Sequence, residues 1–300
     1  QTIGPIMNRS IYFSKTYWSH FSSQWKLILQ SFLSLLGLIA AVVTILMFLL
    51  STDLQTQIKD YCVYGIAIAF FLGIWLNRPK FSIIQQLPQS DIKIEICVAD
   101  IFDLKGAYVI GTNTTFDTEI GNGLISATSI QGQYTKKFFY DYHELDEKLT
   151  SQLANYPSTA VLTQKKGKQK SYEMGTVVKI TTKKGSAYLL AMAIMNDNGA
   201  AKTTVEDIKT SLSKLWNFIS TNDGTEPVII PILGSNYGRL TEKREQLINE
   251  IAKSFILACA KQKFTEKLII VIHPADYIEC NLDLNELKTI LEYQCKFSKL

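Results

Sequence analysis

Two glycines four positions apart separate a buried-strand pattern from a helix-like stretch, and their spacing suits phosphate binding. The apolar run VIIPIL ends at Gly234, Gly238 follows, and Thr241 opens the charged stretch. Glycine permits positive φ and close approach to a ligand, and consecutive amides before a helix can form an anion-binding nest. The pattern predicts either an ordinary tight turn or a phosphate cradle, and the absence of a G-x-x-x-x-G-K-[ST] motif excludes a P-loop. The candidate cradle consists of Leu233, Gly234, Ser235, Asn236, Tyr237, Gly238 and Arg239.

Polar residues that could complete a nucleotide site follow two other strand-like runs. Asp100 ends the alternating run IKIEICVAD, where a carboxylate can accept a hydrogen bond from an adenine amino group; a turn or cap residue is the alternative. Asn113 ends the run AYVIGTN, where a turn former is the alternative. Residues 121–133 (GNGLISATSIQGQ) are rich in glycine and small polar side chains. This segment is predicted to supply a second wall for a diphosphate.

The elements that must position these residues alternate between strands and helices. Helical spacing marks three segments, and we expect Thr203 with Glu206 to form a capping box and Thr241 to cap the last helix. This order favours an α/β/α sandwich with a mixed sheet, in which ligands lie outside the carboxyl ends of the strands. The helix candidates are 143–155, 203–219 and 241–262, and the strand candidates are 92–100, 107–113, 175–180, 187–195, 226–233 and 266–273.

The amino-terminal part of the chain has the composition of a membrane segment. Leu27–Leu50 holds 24 residues without a charge, about 36 Å of helix, and a second apolar run of 16 residues follows at Tyr61–Leu76. A signal peptide or a buried hairpin is the alternative. The runs predict transmembrane helices over about 27–50 and 58–77, within a membrane region 1–80 followed by a soluble domain 81–300. Basic flanks predict that both ends are cytoplasmic, in a multi-pass protein of the inner membrane.

Small residues form a stripe on each of the two apolar runs. Gly65, Ala69 and Gly73 recur every four residues on the second run. Such stripes let membrane helices approach closely, although small residues are also simply common in membrane helices. If the stripes pack, they join either the two helices of one chain or helices of several chains. The comparable stripe on the first run is Ser34, Gly37, Ala41 and Thr44.

Charge and cysteine usage exclude several classes of function. Residues 1–80 carry six basic and two acidic side chains, whereas 81–300 carry 25 of each, so the formal charge of +4 belongs to the membrane region. The soluble part therefore has no general excess for a nucleic-acid backbone, and KKGKQK (165–170) is predicted to be a solvated hairpin tip. The five cysteines show no C-x-x-C spacing and the three histidines are scattered, which indicates a reducing compartment and no metal site.

Four segments together resemble a known family. VADIFDLKGAYVIGTNTTFDTEI, ISATSIQGQ, YEMGTVVKI and PILGSNYGRL look like the macro domain, and more specifically the macro-type domain of Thoeris antiphage effectors, in which two transmembrane helices precede the domain. The resemblance runs from Asp91 over nearly all of the remaining chain. It implies an N-terminal two-helix transmembrane hairpin followed by a macro-type α/β/α sandwich that binds ADP-ribose or a relative.

The resemblance also implies roles for individual residues. Asp100 and Ile101 would hold adenine, with His273 and Pro274 nearby. The distal ribose would contact Asn113, Phe116, Asp117 and Thr118, and the diphosphate would contact the cradle together with Ser129, Ile130, Gly132 and Gln133. The chain lacks the N-A-A-N and triple-glycine loops of macro domains, and the acids near the distal ribose are Asp117 and Glu119. These departures argue against hydrolysis, so we expect no catalytic residues.

The same resemblance implies a signalling system. A partner with a TIR domain would consume NAD and release an ADP-ribose conjugate, with histidine as the attached amino acid. The present protein would bind this signal without cofactor, metal or nucleic acid, form a homo-oligomer and disrupt the lipid bilayer. The alternatives are a membrane-anchored ADP-ribosyl hydrolase and an anchored scaffold.

Overall fold

The chain divides into two compact units between Lys80 and Phe81. The computed structural model describes residues 13, 15–49, 52–121, 123–195, 201–222, 226–234 and 243–297. The amino-terminal unit is helical, with α1 (Lys15–Ser23), α2 (Trp25–Leu49) and α3 (Thr52–Leu76). The second unit holds all of the strands that the structure describes, together with helices on both faces of a sheet.

One helix in the described part of the chain is long and apolar enough to cross a membrane. This helix is α2, with a mean hydropathy of 2.7 and none of its apolar window buried. In α3 the apolar part whose side chains are described is Val63–Leu76, which would span about 21 Å and falls short of a hydrocarbon core of about 30 Å. The expected pair of transmembrane helices is therefore not confirmed, and the second span remains a prediction.

The stripe on α3 packs against α2 of the same chain. A Cβ atom at Gly73 would lie 3.3 Å from both the Ile28 carbonyl oxygen and the Phe32 amide nitrogen. Ala69 is fully buried, and the Asn77 amide donates to the Ser31 hydroxyl at 2.9 Å. The α3 stripe therefore packs within the chain and not between chains. The stripe on α2 does not face α3, because all of its members are exposed: Ser34, Gly37, Ala41 and Thr44.

The second unit is a three-layer sandwich around a mixed sheet. The strand order is β1-β2-β10-β9-β3-β7-β6; β2, β10, β9, β3 and β7 run parallel, and β1, β6 and the short β8 pair antiparallel to their neighbours. The strands are β1 (Ser82–Gln86), β2 (Lys93–Val98), β3 (Ala107–Asn113), β4 (Ala160–Val161), β5 (Lys170–Ser171), β6 (Val177–Thr182), β7 (Gly185–Met195), β8 (Ala201–Lys202), β9 (Val228–Pro231) and β10 (Lys267–Ile272). The predicted mixed sheet is confirmed, and β4 pairs only with β5.

Helices cover both faces because the parallel strands are apolar on both sides. One face packs against α4 and α5 through residues that include Phe116, Tyr134 and Leu145. The other face packs against α6, α7 and α9, where Trp216 stacks on Phe264. The helices are α4 (Ile130–Phe138), α5 (Tyr142–Leu153), α6 (Val205–Thr221), α7 (Arg244–Lys261), α8 (Pro274–Glu279) and α9 (Leu284–Phe297).

Two helix starts differ from the sequence expectation. The capping box of α6 is formed by Thr204 and Asp207, so the pairing of Thr203 with Glu206 was wrong. Thr203 is buried instead and donates its hydroxyl to the carbonyl of Met192, a tertiary contact that helical spacing does not reveal. Helix α7 begins at Arg244, and the expected cap Thr241 lies outside the described residues.

The packing of α2 on α3 leads to a test with a matched control. We expect Gly73→Leu to destabilise the helix pair by about 1–3 kcal/mol, because the side chain must displace the α2 backbone. Gly37→Leu should have little effect, since no atom lies within 4 Å of its added Cβ. Denaturation of the full chain by SDS in mild detergent, followed by circular dichroism, measures the difference. Equal stability of the two variants would contradict the packing.

Candidate functional site

A cleft of about 480 Å³ lies at the carboxyl edge of the parallel strands. Its walls come from the chain just after β2, β10, β9 and β3, the edge at which ligands bind in open α/β sheets. The strand order places the segments in a row, with Asp100 after β2, His273 after β10, Gly234 after β9 and Asn113 at the end of β3. The fold thus brings together four segments that are far apart in sequence.

The end of the cleft near β2 holds two side chains that also cap helical turns. Asp100 caps a short 3₁₀ turn by accepting a hydrogen bond from the Phe102 amide at 2.9 Å through one carboxylate oxygen. Its predicted roles as cap and cleft residue are therefore compatible, because the second oxygen takes no part in this bond. His273 caps α8 through Nδ1, which accepts from the Ala275 amide at 3.2 Å. This bond leaves Nε2 for a ligand.

Three other residues at this end of the cleft can be compared with the prediction from the sequence. Ile101 lines the cleft as expected, whereas Pro274 is buried and does not. Asp276 lines the cleft and was missed, because its place one turn into α8 becomes evident only in the tertiary structure. It lies 3.9 Å from the guanidinium of Arg244, the first residue of α7.

The middle of the cleft is formed by the start of α4 and the end of β9. Ser129 caps α4 by accepting from the Gly132 amide at 3.0 Å, so the first turn of this helix lies at the cleft wall. Gly132 does not line the cleft, but an added Cβ would lie 2.2 Å from the Ser126 carbonyl oxygen. The segment predicted as a second wall lines the cleft, and its contact with a diphosphate stays a prediction. Its cleft-lining residues are Gly123, Leu124, Ile125, Ser126, Thr128, Ser129, Ile130, Gln131 and Gln133.

The candidate cradle is described only in its first two residues. Leu233 and Gly234 line the cleft, and Gly234 has a φ of +75°, the left-handed region that favours glycine. The remaining members lie outside the described residues, and their contribution stays a prediction: Ser235, Asn236, Tyr237, Gly238 and Arg239. In the described part of the lining there is no lysine or arginine, so neutral hydroxyl and amide groups face the middle of the cleft.

The end of the cleft near β3 is defined by Asn113 and an apolar wall. Asn113 lines the cleft, but the three residues expected to line it beyond Asn113 do not. Phe116, Asp117 and Thr118 are buried behind the wall, because the chain turns inward after β3 and Phe116 packs edge-on against Tyr172. The apolar wall here consists of Leu124 and Ile125, which lie in the predicted segment 121–133, together with Met192 and Met195. Sequence reasoning missed the two methionines, because their strand shows only the pattern of ordinary core residues.

One lysine of the predicted solvated hairpin tip is buried. Lys165 has a fully buried side chain whose Nζ lies 2.7 Å from Oδ2 of Asp117. The expectation for KKGKQK was therefore wrong at this position, although the segment does connect two antiparallel strands. A local run of charges predicts exposure, and only the tertiary structure places the Asp117 carboxylate within reach of the Lys165 ammonium group.

Two buried cysteines of the second unit have raised pKa values. Burial, followed by the charge of Glu95, raises the pKa of Cys97 to about 12, and burial raises that of Cys259 to about 12, so both thiols are protonated. Burial, followed by the nearby Asp100 carboxylate, also raises the pKa of Tyr108. Among the described residues no group of three or more His, Cys, Asp or Glu side chains could hold a metal ion.

Structures of similar fold include macrodomains. A mutant macrodomain of Oceanobacillus iheyensis with ADPR has a TM-score of 0.43 at 12% identity, over 72% of this chain and 97% of that one. The same organism's macrodomain with ADP has a TM-score of 0.42 at 12% identity, over 72% and 95%. A mutant tomato leucine aminopeptidase has a TM-score of 0.44 at 13% identity, over 71% and 37%.

Sequence comparison is more specific. Thoeris protein ThsA from Bacillus amyloliquefaciens (strain Y2) is 25% identical over 197 residues, which are 63% of this chain. The match spans 65% of the length of that relative. The family model described as the macro domain of Thoeris protein ThsA matches residues 94–273, which include β2, β10 and every strand between them. This match covers more than half of the chain, and the chain therefore belongs to the ThsA macro-domain family of Thoeris proteins.

Proposed function

We propose that this protein is a membrane-anchored effector of antiphage defence whose macro domain binds an ADP-ribose-type signal. The observation that carries the proposal is the order of groups along the cleft. A carboxylate and an imidazole lie at the β2 end, neutral donors and a positive-φ glycine lie in the middle, and an amide lies at the β3 end. The order suits adenine, diphosphate and distal ribose, and a volume of about 480 Å³ falls within the range of ligand pockets.

The identity of the signal forms a finer part of the proposal. Family membership supports a ligand released by a partner TIR protein that consumes NAD, with histidine attached to ADP-ribose. The apolar residues beside Asn113, including Leu124 and Met195, offer a surface for a group attached to the distal ribose. Calorimetry of the full chain in detergent against ADP-ribose, NAD and histidine-ADP-ribose tests both parts. Failure of all three ligands to bind would contradict the proposed function.

Binding without hydrolysis is the favoured mode. A hydrolase needs a group that activates water near the distal ribose, and Asp117 is engaged elsewhere. Its Oδ1 accepts from Lys165 Nζ and the Lys168 amide, and its Oδ2 accepts from Asn113 and Thr115. These contacts support a sensor, and the membrane-anchored ADP-ribosyl hydrolase remains the second candidate.

Helix α8 offers a route by which ligand binding could influence the membrane unit. His273 and Asp276 line the cleft, and Tyr277, the next residue on α8, is buried. Its ring packs edge-on against Phe81 with centroids 6.1 Å apart, and the Phe81 carbonyl accepts from the Val98 amide at 2.8 Å. Phe81 is the first residue after the helical unit. A shift of α8 would therefore move the residue that connects the macro unit to the helical unit.

We further propose that α2 and α3 lie in the inner membrane, with the macro domain and the amino terminus in the cytoplasm. Ligand-bound chains would assemble into a homo-oligomer, and the clustered helices would disrupt the bilayer. The exposed small-residue stripe on α2 supports this step, because it lets helices of neighbouring chains approach closely. The ligand promotes assembly only if it binds the assembled state more tightly.

The role of Asp100 can be separated from its capping bond. Asp100→Ala should weaken ADP-ribose binding by about 10–100-fold, the size of one hydrogen bond to a charged acceptor. Asp100→Ser retains a capping oxygen but is too short for the ligand, so we expect a similar loss. Asp103→Ala, at an exposed position of the same turn, should change affinity by less than about twofold. Calorimetry provides the measurement, and full affinity of Asp100→Ser would show that the carboxylate acts only as a cap.

The role of Gly234 can be separated from general backbone strain. Gly234→Val should abolish nucleotide binding, because the side chain occupies the cleft and disfavours the observed positive φ. Gly185→Val also places a branched residue at a positive φ, here +136°, in the β6–β7 turn at the opposite end of the strands. This control should lower the melting temperature but retain binding at saturating ligand. If both folded variants bind as tightly as the wild type, Gly234 does not contact the ligand.

Coupling through α8 predicts a variant that binds without responding. Tyr277→Leu should bind ADP-ribose within about twofold of the wild type, because Tyr277 does not line the cleft. Ligand-stimulated dye release from liposomes containing the full chain should fall at least about fivefold, since the edge-on contact with Phe81 is lost. Phe264→Leu, which alters a buried aromatic cluster on α7 and α6, is the control for general destabilisation. Equal dye release from both variants would exclude this route.

A further inference from the structure

The hairpin formed by β4 and β5 contains Lys165, whose buried ammonium group lies behind the wall of the cleft. Its strands have two residues each, so little of its own hydrogen bonding fixes its place. The Lys165 side chain is fully buried, and its Nζ contacts three acceptor groups. These are the Asp117 carboxylate, with Oδ2 at 2.7 Å and Oδ1 at 2.9 Å, the Lys166 carbonyl at 2.7 Å and the Lys168 carbonyl at 3.0 Å. These three acceptors match the three protons of an ammonium group. A buried charge satisfied in this way holds the hairpin against the domain.

The partner of Lys165 in turn fixes the polar side chain at the β3 end of the cleft. Oδ2 of Asp117 accepts from Asn113 Nδ2 at 2.9 Å, and the Asp117 amide donates to Asn113 Oδ1 at 3.2 Å. Both ends of the Asn113 side chain are thus engaged by one residue. The Asp117 carbonyl also accepts from Gln131 Nε2 at 2.6 Å, so a second cleft residue is held by the same group.

The hairpin tip also supports the apolar part of this wall. Gly167 has a φ of +80°, and an added Cβ would lie 2.7 Å from Asp117 Oδ1 and 2.8 Å from Leu124 Cδ1. The tip therefore packs without space between Asp117 and Leu124, which lines the cleft. Three cleft residues from separate segments, Asn113, Leu124 and Gln131, all depend on Asp117 or on the hairpin tip.

We propose that Lys165 is a positioning residue that determines how Asn113 faces the ligand. The Asp117 carboxylate accepts from Nδ2 of Asn113, and Oδ1 of Asn113 lies within hydrogen-bond distance of both the Asp117 amide and the Thr115 hydroxyl. The second Nδ2 proton is therefore the group left for a ligand hydroxyl. Without the ammonium group, the buried Asp117 carboxylate would lose its charged partner and the contact that fixes its position beside Asn113. The Asn113 side chain would then no longer be held in a single orientation toward the cleft. This inference rests on the proposed function, in which Asn113 contacts the distal ribose.

A pair of lysines on the same hairpin provides the test. Lys165→Met removes the fully buried charge, whereas Lys168→Met removes a partly buried pair with Asp146 and leaves the backbone contact of residue 168 with Asp117 intact. Binding of ADP-ribose and of ADP, which lacks the distal ribose, is measured on the full chain in detergent. We expect Lys165→Met to weaken ADP-ribose binding about tenfold, the effect of one hydrogen bond, and to leave ADP within about twofold. Lys168→Met should change neither.

A second readout needs no ligand. Hydrogen–deuterium exchange should be faster over 113–118 and 124–131 in Lys165→Met, and unchanged in β10 and α7. If Lys165→Met does not fold, the double variant Lys165→Met with Asp117→Asn removes both charges, and we expect it to show the same loss of preference for ADP-ribose over ADP. An unchanged preference, or faster exchange throughout the domain, would overturn the positioning role. If the wild type binds neither nucleotide, the proposed function fails, and the exchange pattern alone decides the role of Lys165.

Discussion

Parallel pairing of β2, β10, β9, β3 and β7 is the constraint on which the rest of the macro unit depends. Parallel strands end at one edge of the sheet, and each chain must leave that edge through a turn or a helix start. Backbone groups at such exits need partners, and Asp100, Ser129 and His273 supply them as caps. The cleft is therefore built largely from the residues that also end the strands and begin the helices.

The described lining of the cleft contains no lysine or arginine, and the buried ammonium group of Lys165 lies behind the wall, paired with Asp117. In this position the lysine does not attract phosphate directly, but it sets which hydrogen-bonding groups the wall presents.

The helical unit follows a different physical rule. Small side chains let the backbones of two apolar helices approach closely. Gly73 and Ala69 provide that approach within the chain, while the small residues of α2 remain on an exposed face. The two stripes therefore serve different surfaces. The macro unit begins at Phe81, beside Tyr277 of α8, so the residue at which the units join also contacts the helix that carries two cleft residues.

The sequence by itself determined the mixed sheet, its main strands, the long apolar helix and several cleft residues, including Asp100, Asn113 and Gly234. These features arise from periodicity and from residues next to strand ends, which are local in the chain. Only the tertiary structure decided that Asp117 is buried behind the wall and that Lys165 pairs with it, because 48 positions separate the two residues. Likewise Asp276 enters the cleft only through the placement of α8. A pattern in the sequence shows which residues could face a cleft. Whether a residue does face it depends on contacts with residues from distant segments, which hold it in the wall or bury it behind the wall.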